Sequence, residues 1–91
     1  MSSLVAMRFI IHGRVQGVFY RACAQKKAKR LLLTGFVRNL PDGSVEAIAV
    51  GSNEQLRAFH DWLKKGPPLA KVTEVASEEI AFCEYDGFRV I

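Results

Sequence analysis

Between Val5 and His12 apolar and mixed positions alternate, with Val5, Met7, Phe9 and Ile11 on one side and Ala6, Arg8, Ile10 and His12 on the other. That period of two belongs to a strand with one well-buried face, and it is expected to stop at Gly13. From about Tyr20 the period lengthens: Tyr20, Ala24, Ala28 and Leu31 fall on one helical face, while Gln25, Lys26, Lys29 and Arg30 fall on the other. This helix is predicted to end before Gly35. TGFVRNL (34–40) and SVEAIAV (44–50) then read as two strands joined by Pro41-Asp42-Gly43, in which proline suits the first turn position and glycine the left-handed one. Ser52, three residues before Gln55, forms a plausible capping box, and Leu56, Phe59, Trp62 and Leu63 make an inward stripe that ends at Gly66-Pro67-Pro68. Ala70 to Ala76 reads as a further strand, and the alternation around Arg89, between Phe88 and Val90, as a short last one.

The predicted order is β-α-β-β-α-β with one additional terminal strand. It implies an α+β, ferredoxin-like sandwich: a mainly antiparallel sheet with two helices on one face and a short extra C-terminal strand. A helical crossover makes the first two strands parallel. The loop leaving the first strand, Gly13 to Tyr20, and the end of the second, Arg38 and Asn39, should therefore lie at the same edge, so that Arg21 and Asn39 can meet.

The length of 91 residues leaves room for a single domain, 1–91, with one core. A net charge of +4 would favour an anionic partner, although Lys26, Lys27, Lys29 and Arg30 also have the spacing of a solvated helix face. MSSLVAMRFIIHG lacks a basic start followed by a long apolar stretch, and Arg8 interrupts its apolar run, so neither a signal peptide nor a membrane span is read there. Cytoplasm is the expectation, with Cys23 and Cys83 as reduced thiols.

The stretch GRVQGVFYR, Gly13 to Arg21, holds the candidate chemistry. Two glycines four positions apart allow several N–H groups to turn toward one point, and such a cluster attracts anions. Arg21 adds a planar charged fork suited to phosphate or carboxylate. The glycines are one residue too close for a Walker loop, and Val18 and Phe19 follow where Lys and Ser or Thr would be required. The arginine that a cysteine phosphatase loop needs six positions after its nucleophile is absent, since six after Cys23 is Lys29. His12 and His60 are far apart, without metal-ligand spacing, so no metal site is suggested.

IHGRVQGVFYR, together with GFVRNLPDGSVEAIAVG (Gly35 to Gly51), resembles the signatures of the acylphosphatase family. Two positions depart from the family pattern: Tyr20, where the family usually has phenylalanine or methionine, and Leu32, where many members have glycine. The resemblance implies hydrolysis of the carboxyl-phosphate bond of acyl phosphates, with no metal or cofactor. Arg21 and the N–H groups of the loop Val15, Gln16, Gly17, Val18, Phe19 and Tyr20 would hold the phosphate, and Asn39 would orient the attacking water. Gln16 is also expected to brace the loop through its amide. The implied partners are a small acyl phosphate and inorganic phosphate, as product and inhibitor, with no membrane and a monomeric protein.

A rival reading is an RNA-binding module on the same fold, which places aromatics on its third strand. SVEAIAV has none, which argues against nucleic acid.

Overall fold

A computed structural model describes residues 3–91 of the chain. The elements follow in the expected order: β1 (Val5–Arg14), α1 (Tyr20–Arg30), β2 (Thr34–Asn39), β3 (Val45–Gly51), α2 (Asn53–Lys65), β4 (Lys71–Ile80) and β5 (Phe88–Val90). They form one five-stranded sheet in the order β4-β1-β3-β2-β5. β3 runs antiparallel to both β1 and β2, so those two are parallel to each other, and β5 pairs parallel with β2. This is the ferredoxin-like α+β arrangement read from the sequence, with β5 added at the edge.

Alternation decides which side chains meet the helices. Phe9 and Ile11 of β1, Val37 of β2, Val45, Ala47 and Ala49 of β3 and Phe88 of β5 join Tyr20, Ala24 and Ala28 of α1 and Leu56, Phe59 and Leu63 of α2 in one core. Phe59 stands edge-on to both Phe9 and Phe88, with ring centroids 5.9 and 5.8 Å away. On the opposite face Glu46 is held between Arg8 Nε and Arg38 Nε, at 2.6 Å each. Burial works to raise the pKa of that carboxyl, but the hydrogen bonds from Arg8 and Arg38 outweigh it and hold the value below normal.

Two strand boundaries differ from the sequence reading. β1 continues through Gly13 to Arg14, with a register shift between His12 and Gly13 against β4. β4 runs on to Ile80, because Ala76 to Ile80 pair with β1 as far as Ala6 even though most of these residues are exposed. Alternation cannot reveal an edge strand whose outward positions are all wet.

The helix ends are closed in specific ways. α1 leaves through a Schellman motif, with Leu32 N–H donating to Lys29 O at 3.1 Å and Leu33 N–H to Ala28 O at 2.9 Å. Leu32 occupies the position that glycine favours, with φ 61 and 78% of its surface exposed, so its side chain adds about 1–2 kcal/mol of backbone strain with little burial in return. α2 begins with the expected capping box: Gln55 N–H donates to Ser52 Oγ at 3.2 Å, and Ser52 N–H to Gln55 Oε1 at 2.9 Å. At its other end, the carbonyl of Leu63 would look to the N–H of residue 67, but Pro67 has none. The Tyr20 hydroxyl donates to Leu63 O instead, at 2.7 Å. The Tyr20 hydroxyl thus satisfies a carbonyl left over by a proline.

Candidate active site

The loop between β1 and α1 begins at Gly13, where φ is 124 and a side chain would collide with the backbone of Lys71 in β4. That glycine serves the β1–β4 ladder. The sequence pattern gives both glycines to an anion cradle; the close approach to Lys71 accounts for Gly13 without one, while Gly17 has φ 73 and open surroundings. Positive φ recurs at Phe19, 63, but not at Val18. Alternation of φ along Gly17, Val18 and Phe19 turns successive N–H groups to the same side, the geometry of an anion-binding nest. Among the described residues, no backbone hydrogen bond outside the helices and strands uses an N–H of Val15 to Tyr20.

Side chains hold this backbone from beneath. Val15 and Val18 are buried, and the Tyr20 ring is buried in the core, where desolvation pushes its phenol pKa well above normal and keeps it neutral. Gln16 Nε2 donates to Leu40 O and to Ser44 O, both at 2.9 Å, and ties the loop to the β2–β3 turn. That turn is closed in its own right by Leu40 N–H to Ser44 O and by Asp42, which accepts from Ser44 N–H at 3.0 Å and from Ser44 Oγ.

A hollow of about 270 Å³ opens above the loop. Gly17 and Arg21 lie on one side of it and Asn39, the last residue of β2, on another. Sheet register explains the meeting, because Ile11 of β1 and Asn39 of β2 stand opposite the same residue of β3, Val45. Of the other loop residues read as candidates, Val15, Phe19 and Tyr20 border the hollow, whereas Gln16 and Val18 do not. Arg21 Nη1 donates to Ile91 O at 3.0 Å, which draws the guanidinium toward the end of β5. Ala22 and Val90 complete the lining and were absent from the sequence reading. Val90 is brought there by parallel pairing of β5 with β2, for which local pattern holds no signal. No carboxylate or imidazole borders the hollow. Among the described residues, no three or more His, Cys, Asp or Glu side chains gather at one point.

Residues 7–90 match the family model described as Acylphosphatase. The chain belongs to the acylphosphatase family. An acylphosphatase of Marinobacter nauticus is 52% identical over 81 residues, covering 88% of each chain. An acylphosphatase structure from Coxiella burnetii superposes with a TM-score of 0.93 at 42% identity, covering 97% of this chain and 93% of the other. The crystal structure of acylphosphatase from Bacillus subtilis gives 0.92 at 37% identity, covering 98% and 99%. No helix among the described residues is long and apolar enough to cross a membrane.

Proposed function

We propose that this member of the acylphosphatase family hydrolyses acyl phosphates to a carboxylate and inorganic phosphate, through one domain spanning residues 1–91. The observation that carries this reading is the convergence of three elements on one hollow: a backbone loop of alternating φ, a guanidinium and an amide. In this reading the N–H groups of the loop and Arg21 bind the phosphoryl oxygens, where charge accumulates as the P–O bond breaks. Asn39 orients the water that attacks phosphorus opposite the leaving carboxylate. That leaving group is a weak base and departs without a proton, so the absence of an acid from the lining is no obstacle. The water's proton passes to an oxygen of the transferred phosphoryl group, giving dihydrogen phosphate and the free carboxylate.

The same economy means that the reaction needs no metal, and that phosphate, which fits the loop as product, acts as a competitive inhibitor. Free thiols at Cys23 and Cys83 agree with a reducing compartment such as the cytoplasm, and a monomer is sufficient because every group invoked comes from one chain.

Acetyl phosphate hydrolysis measured with and without a strong chelator tests the reaction itself, with activity expected to survive complete removal of divalent ions. Paired variants test the roles. Arg21→Ala should lose both turnover and inhibition by phosphate. Asn39→Ala should keep phosphate inhibition within a small factor while kcat falls by about 10²–10³-fold. If phosphate affinity falls in parallel with kcat in Asn39→Ala, the amide holds the anion or the fold, and the role given to it is wrong.

A further inference from the structure

We infer that Phe19 is the contact for the acyl end of the substrate, and that this protein therefore favours acyl phosphates with an aromatic or bulky apolar acyl group. The inference rests on the hydrolytic reading above and extends it to the half of the substrate that the loop's N–H groups do not address.

Phe19 is 74% exposed, the larger part of an aromatic ring standing in solvent immediately before α1. Its backbone is left-handed, with φ 63 and ψ 21, where glycine or asparagine fits better than a ring. Neither burial nor backbone preference accounts for phenylalanine at this position. Strain and exposure alone do not mark function, and Leu32 demonstrates this: it is left-handed and 78% exposed too, but it sits at the far end of α1 and does not line this hollow. Phe19 differs in place, since it lines the same hollow as Arg21 and Asn39.

Size and chemistry point the same way. The hollow, about 270 Å³, exceeds by several-fold what a phosphate group fills, roughly the volume of two waters or about 60 Å³. Apart from Gly17, Arg21 and Asn39 its lining is Val15, Phe19, Tyr20, Ala22 and Val90, of which Phe19, Ala22 and Val90 are exposed, the last at 37%. With phosphate against the loop and Arg21, the acyl group must leave the loop on some side, and beside Phe19 a ring on the substrate finds another ring at stacking or edge-on distance. A methyl group covers only a fraction of that surface.

The test compares benzoyl phosphate with acetyl phosphate in wild type, Phe19→Gly, Phe19→Tyr and Leu32→Gly, with kcat/KM for each substrate. The readout is the benzoyl-to-acetyl ratio, which a uniform disturbance of the loop leaves unchanged. Phe19→Gly should lower that ratio about three- to tenfold, Phe19→Tyr should restore it, and Leu32→Gly, which relieves the same kind of strain elsewhere, should not move it. A second arm needs no turnover: the inhibition constants, or the dissociation constants by calorimetry, of benzylphosphonate and methylphosphonate should show the same dependence on Phe19. An unchanged ratio in Phe19→Gly, in either arm, overturns the inference. If wild type hydrolyses neither acyl phosphate, the proposed function is wrong, and the phosphonate arm still decides whether Phe19 holds the apolar end of a bound anion.

Discussion

Replacing Tyr20 by phenylalanine removes a single oxygen, and in this chain it should destabilise. The hydroxyl donates to Leu63 O at 2.7 Å, and that carbonyl has no N–H at residue 67 to turn to, because Pro67 stands there. Tyr20 is 1% exposed, so water cannot replace the lost donor without opening the core. A net hydrogen bond is worth about 0.5–1.5 kcal/mol, and a buried acceptor left alone costs about 1–3 kcal/mol. The expected loss is thus about 1–2 kcal/mol, which for a domain of this size lowers Tm by roughly 4–16 °C. Thermal and urea unfolding followed by circular dichroism read it directly. The pH dependence supplies a second signature. The folded phenol pKa lies above its ordinary value of 10, so the folded state retains a proton that the unfolded chain releases. Stability from Tyr20 is then fully present below pH 10 and is lost as pH rises beyond it, by up to about 1.4 kcal/mol per unit. The advantage of wild type over Tyr20→Phe should shrink above pH 10 and be flat below it. A variant that melts with wild type at pH 7 would refute the assignment of this hydroxyl to the Leu63 carbonyl, and a difference that does not narrow in alkali would refute the burial of the phenol.

Other outcomes follow from features already described. Inorganic phosphate at 100 times its dissociation constant should stabilise wild type by about 2.7 kcal/mol, seen as a rise in Tm, and Arg21→Ala should lose most of that gain. Leu32→Gly should raise stability by about 0.5–1 kcal/mol in urea unfolding, since relief of the left-handed strain exceeds the extra chain entropy of glycine. Glu46→Gln should destabilise at neutral pH by about 1 kcal/mol, a modest figure because Arg8 and Arg38 remain 39% and 49% exposed. Because the folded pKa of Glu46 is depressed, its contribution is present above the ordinary value of 4.5 and lost as pH falls through the folded one, so variant and wild type should converge in acid.

The sequence was most legible where a single element decides the matter. The period in 5–12, the Ser52–Gln55 box and the Pro41-Asp42-Gly43 turn each act within a few residues, and each stands in the structure as read. That Arg21 and Asn39 line one hollow was also accessible, because crossover handedness converts element order into proximity. What escaped depends on distant partners. The demand on Gly13 comes from Lys71, the hydroxyl of Tyr20 answers to a proline far along the chain, and Val90 reaches the hollow through a parallel pairing whose residues lie some fifty positions apart. The full extent of β4 was hidden for the opposite reason, since Ser77, Glu78 and Glu79 face water and follow no apolar rhythm.

Val45 is the residue from which the site is measured out. The strand leading to the loop and the strand ending in Asn39 are registered against it from opposite sides, so their separation is two inter-strand steps, about 9–10 Å, however long the chain between them. All seven residues of β3 are buried, which makes that gauge stiff. Length can therefore vary in the connection from α1 to β2 without moving the parts of the site relative to each other. A single residue inserted within β2 would carry Asn39 about 3.4 Å past Val45, out of step with the loop, and turn core side chains of that strand to the opposite face. In this fold the distance between the loop and Asn39 is kept by a strand that is itself buried along its whole length.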